Sequence, residues 1–126
     1  MSVIAVVALA IIQAPASDLE LRAAYCARVA AYQQELVGQL NAAFPPSAER
    51  DRAYSDTWNA IETRRSRWAG YIAPRLEYLD LGQIEAAVAA ASRDAEITAS
   101  ETEITSVKDA ASARMRRCND LSPLPY

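Results

Sequence analysis

Cys26 and Cys118 are the only cysteines in a chain of 126 residues, and 92 positions separate them. A disulfide needs its Cα atoms within about 7 Å. A fold that joins this pair must therefore bring an early and a late segment together. On the chain-entropy model, closing so long a loop stabilises the fold by about 4–5 kcal/mol. Whether the pair can meet depends on how many times the chain turns back between the two positions.

Helix signals fill that interval. Ser17-Asp18-Leu19-Glu20 reads as a capping box, with Asp18 and Glu20 complementing the positive end of the helix dipole. Cys26, Val29, Leu36, Val37, Leu40 and Phe44 then recur at a mostly 3–4 spacing, an apolar stripe on one helix. Pro45-Pro46 ends it. Ser47 is the expected N-cap of a second helix, whose stripe is Tyr54, Trp58, Ile61, Arg65, Trp68 and Ile72. Pro74 kinks or stops that helix, Arg75 to Leu81 reads as a short helical piece, and Gly82 is the expected breaker. From Gln83 to Cys118 the chain has no Gly or Pro. Within it Ile97, Ile104, Ala111 and Cys118 fall seven apart, the coiled-coil period.

The fold class is all-α: an antiparallel helical bundle or long helical hairpin of three to four helices. With three, Cys26 and Cys118 lie at opposite ends, because a helix of about 27 residues is roughly 40 Å long. An even number brings them together. The place for a further break is Ser92 to Glu103, which holds two candidate capping boxes, Thr98-x-x-Glu101 and Ser100-x-x-Glu103. Three arrangements satisfy the cysteines. They are four helices with an internal Cys26–Cys118 bridge, three helices with an intermolecular bridge, or two free buried thiols. The expected arrangement is the internal bridge.

Val3 to Ile12 is an unbroken apolar run, about 15 Å long as a helix and half of what a bilayer core demands. Ala14-Pro15-Ala16 follows with the small residues of a cleavage site, although no Lys or Arg precedes the run. Residues 1–16 are expected to be a signal peptide, 17–118 a single helical domain and 119–126 an irregular tail. The bulky Tyr25 directly before Cys26 does not suit lipoprotein processing, so no lipid anchor is expected. Export places the chain in a bacterial periplasm or outside the cell, where two cysteines commonly pair.

Composition removes most catalytic options. With no histidine, His-based triads, His general bases and His metal ligands are excluded. Two cysteines do not make a four-thiolate zinc site, and three glycines supply no phosphate loop. A net charge of −3 argues against nucleic acid as a partner. No catalytic, metal or cofactor residue is assigned, and the carboxylates read as solvated faces. Apolar residues make up 52% of the chain, but 27 of its residues are alanine. Beyond residue 16, Val, Ile, Leu, Met, Phe and Trp number 22 of 110. Alanine favours helix and buries little surface, so the core is a narrow seam.

The expected activity is therefore binding to an unknown protein partner, or self-association, and not catalysis. The candidate face is Trp58, Arg64, Arg65, Arg67 and Trp68 on the second helix. Arg64, Arg65 and Arg67 are also expected to come level with Asp94, Glu96, Glu101 and Glu103 of the third helix. The alternative is a membrane-anchored coiled-coil structural or lysis-type component that keeps its N-terminal apolar run.

Overall fold

The computed structural model describes residues 13–125. Residues 1–12, most of the expected signal peptide, lie outside the described residues. Among the described residues there are four α-helices: α1 (Asp18–Ala43), α2 (Ala48–Ile72), α3 (Leu81–Ala99) and α4 (Thr105–Arg116). Short 3₁₀ turns follow α2 at Ala73–Arg75 and α4 at Arg117–Asn119.

Local chemistry sets these boundaries. The capping box ahead of α1 is complete. Ser17 Oγ accepts from the Glu20 N–H at 3.1 Å, and Glu20 Oε1 accepts from the Ser17 N–H at 2.9 Å. Such a cap contributes about 1 kcal/mol. Phe44 is extended, as the residue before a proline must be, and Ser47 Oγ caps α2 through the Arg50 N–H at 3.0 Å. Gly82 is not the breaker. Asp80 is the N-cap of α3 and its carboxylate accepts from the Gly82 N–H at 2.9 Å, which leaves Gly82 inside the first helical turn.

The break that makes the helix number even falls at 100–104. It does not use the expected capping boxes. The Thr98 hydroxyl turns back onto the Ala95 carbonyl at 2.9 Å, and Ser100 Oγ accepts from the Thr102 N–H at 3.2 Å. Ile104 is 70% exposed, so the seven-residue recurrence through it does not form a seam. Ile97 lies in α3, Ile104 precedes α4, Ala111 lies in α4 and Cys118 in the 3₁₀ turn, so no single helix carries the period.

α1 is the hub. α2 packs along it, α3 packs on it from another side, and α4 packs on α3. The 3₁₀ turn after α4 returns to α1, where Cys26 and Cys118 are joined with their Cα atoms 5.2 Å apart. Of the three arrangements, this is the internal bridge on four helices. The core gathers around it: Ala23, Ala24, Val29, Trp68, Ile72, Leu79, Ile84, Ala91 and Leu124. Alanine at positions such as Ala23 and Ala91, both at 0% exposure, lets neighbouring helix backbones approach closely. Trp68, also at 0%, supplies bulk that the alanines lack.

One further expectation is corrected. The arginine cluster of α2 does not meet the acids of α3, because α2 packs chiefly on α1. Arg65 is held by Glu62 of its own helix and Gln34 of α1, while Asp94 takes its cation from α4. The tail after Asn119 is irregular but packed, with Leu124 buried in the core.

The chain before α1 also touches the body. The Ala14 N–H donates to the Tyr78 carbonyl at 2.8 Å, and the Asp80 N–H donates to the Ala14 carbonyl at 2.9 Å. These bonds form a parallel bridge to Leu79. The Ala16 N–H donates to Gln83 Oε1 at 2.7 Å. Cleavage after Ala16 removes all three bonds.

Candidate functional site

α1 has 26 residues and α3 has 19, about 39 Å against 28 Å. The C-terminal end of α1 therefore extends past its cover, by about seven residues. Among the described residues, none from Ala31 to Ala60 is buried. Beyond Gln33, which still shares a cleft with Thr98, Ser112 and Met115, this stretch is a two-helix arm that projects from the disulfide-bonded base. The α1 stripe runs onto it unchanged, but its residues emerge: Leu36 is 40% exposed, Leu40 53% and Phe44 61%. Sequence periodicity correctly aligns them with Cys26 and Val29 on one face. It does not report that the opposing helix ends.

The tip is built firmly. Arg50 Nη1 donates to the Phe44 carbonyl at 2.8 Å and to the Asn41 carbonyl at 3.2 Å. A cation thus satisfies acceptors at the α1 C-terminus, where the dipole favours it. Asp51 Oδ1 holds the same guanidinium at 3.2 Å. Val37, Leu40, Phe44, Pro45, Pro46 and Tyr54 line an apolar cleft of about 600 Å³ between the two helices at this end. Further down, Gln34 Nε2 donates to Glu62 Oε2 at 2.6 Å, a polar rung between α1 and α2. That bond, with Arg65 and Ser66, holds the Glu62 carboxyl below its ordinary range.

The face expected on α2 does not assemble as one surface. Trp58 is half-buried on the arm, Arg64 and Arg67 are half-buried, and Arg65 is exposed but engaged by Glu62 and Gln34. Trp68 is removed from it altogether. Its ring lies in the core and its Nε1–H donates to the Cys118 carbonyl at 3.0 Å. The reason is its stripe: Ile61, Trp68 and Ile72 share one helical face, and that face is the buried one.

A polar group whose members are far apart in sequence sits in the base. Asp94 is the one buried charged residue among the described residues, at 4% exposure. Its carboxylate accepts from Arg114 Nε at 2.9 Å and Nη2 at 2.6 Å, and from the Tyr25 hydroxyl at 2.5 Å. One residue each from α1, α3 and α4 is joined here. The Arg114 hydrogen bonds hold Asp94 below the ordinary carboxylate range, against burial, which raises it; Tyr25 adds to the lowering. Burial, then the Asp94 carboxylate, push the Tyr25 phenol above its usual value.

Asp94→Asn is expected to cost about 1–3 kcal/mol at pH 7. The folded pKa of Asp94 is lowered, so its contribution is complete above the unfolded value near 4 and is lost as pH falls through the folded one. Urea unfolding of both proteins should show a stability gap at pH 7 that shrinks below about pH 4. A gap unchanged by acid refutes this role for the carboxylate.

Among the described residues no cluster of three or more acidic or cysteine side chains is placed to hold a metal ion, and no helix is long and apolar enough to cross a membrane. No family model matches the chain, no curated protein matches it, and no solved structure matches it.

Proposed function

We propose that this chain is an exported helical protein that acts by binding another protein through the apolar tip of its α1–α2 arm. One observation carries the reading: Leu36, Leu40 and Phe44 lie exposed on a face that no third helix covers among the described residues. Exposed bulky side chains at four-residue spacing present a continuous ridge. A ridge beside an apolar cleft suits a helix or apolar segment of a partner. The disulfide supports export, since such bonds persist in oxidising compartments.

A Leu40→Asp/Phe44→Asp variant tests the site. Both side chains are exposed, so the variant should melt close to wild type. Cross-linking in the exported fraction should lose its stoichiometric partner, with affinity reduced at least tenfold, as expected when central apolar anchors are removed. Undiminished capture refutes the tip as the contact surface.

A second reading keeps the N-terminal run attached as a membrane anchor. The bonds from Ala14 and Ala16 to Tyr78, Asp80 and Gln83 favour it, because they persist only when residues 14–16 stay on the chain. Intact mass separates the two. A mature chain beginning at Ser17 supports the exported form, and an uncleaved chain supports the anchored one.

A further inference from the structure

The Tyr25–Asp94–Arg114 group stands at one wall of a second cleft, which α1, α3 and α4 enclose together with the following 3₁₀ turn. Its volume is about 630 Å³, within the range of small-molecule sites between the helices of bundles. Four arginines line it, Arg22, Arg93, Arg114 and Arg117, against two aspartates, Asp18 and Asp94. The chain as a whole carries a net charge of −3, so this cleft runs against the sign of the protein around it.

The arginines are not equivalent. Arg114 is committed to Asp94. Arg22 is anchored from both sides. Its Nη2 donates to the Arg117 carbonyl at 2.6 Å, and its guanidinium stands over the Trp68 ring at 5.5 Å. Its Nε is buried and has no hydrogen-bond partner among the described residues. That donor is closed to a ligand, so Arg22 offers the cleft the charge of its guanidinium. Among the described residues, no carboxylate lies within ion-pair distance of the Arg93 or Arg117 side chain. The rest of the wall is apolar, with Leu21, Ala87 and Ile97 from α1 and α3. The small Ala87 opens the space, and Leu21 and Ile97 offer hydrocarbon surface.

We propose that this cleft binds a small amphiphilic anion, its carboxylate- or phosphate-type headgroup on the guanidinium groups of Arg22, Arg93 and Arg117 and its apolar body against Leu21 and Ile97. The cleft lies in the base, apart from the arm tip, so the site is independent of the protein-binding reading. Guanidinium donors match the oxygens of either headgroup in charge and geometry.

The test is calorimetric titration of the full chain with decanoate, decyl phosphate and decanol, each below its aggregation concentration. Both anions should bind one to one, at least tenfold tighter than decanol, and the tighter of the two identifies the headgroup. Arg93→Gln/Arg117→Gln should weaken both anions at least tenfold. Both side chains are exposed, so its melting temperature without ligand should match wild type. Arg93→Gln alone carries the test if the double variant does not fold. The arm variant Leu40→Asp/Phe44→Asp should bind the anions as wild type does. Decanol binding as tightly as the anions, no loss in the arginine variants, or loss in the arm variant each overturn the proposal.

Discussion

Cys118→Ser is expected to lower the melting temperature by on the order of 20 °C while leaving the oligomeric state unchanged. The bond closes a loop of 92 residues, and restraining that loop in the unfolded chain is worth about 4–5 kcal/mol. For a domain of this size each 1 kcal/mol shifts the midpoint by several degrees. Little else compensates, because the core around the bond contains many alanines. Both sulfurs belong to one chain, so size-exclusion elution should not move. Circular dichroism melts of the variant and of reduced wild type should coincide. A variant within a few degrees of the oxidised wild type contradicts the dominance of this bond.

Trp68→Ala carries the second large effect, a loss of about 3–5 kcal/mol by removal of a fully buried aromatic ring. Trp68→Phe divides that loss. It keeps most of the ring volume but leaves the Cys118 carbonyl without its indole donor, at about 1–2 kcal/mol. Because the indole bonds to the residue that also makes the disulfide, the effects of Trp68→Phe and Cys118→Ser should not add. A double-mutant cycle by urea denaturation measures the coupling. Simple additivity within a few tenths of a kcal/mol indicates that the hydrogen bond and the bridge act separately.

The sequence discloses what short-range chemistry decides. The Ser17 box, the Pro45-Pro46 stop and the Ser47 cap are each written within four or five residues, and each forms. The two cysteines made an even number of helices necessary for an internal bridge, and the chain has four among its described residues. What stayed hidden depends on partners distant in sequence. Leu36 and Leu40 share the stripe of Val29, and their exposure follows from the shorter length of α3. Asp94 looks like any helix-surface acid until Tyr25 and Arg114 are brought beside it from 69 and 20 positions away. Trp68 is a different case, since it lies in the core at 0% exposure. Its stripe with Ile61 and Ile72 marks the buried face, and the neighbouring arginines lie off that face.

The junction of Cys26 with Cys118 has a consequence for how the protein is made. Synthesis delivers α1 first and the groups that complete its base last, Cys118 in the turn after α4 and Leu124 beyond it. An arm assembled from α1 and α2 alone has no α3 or α4 against its base half. Contacts this distant in sequence form slowly. A growing chain therefore leaves the ribosome with the base half of its hydrophobic seam still open, and the seam closes only after α3, α4 and the last turn have followed.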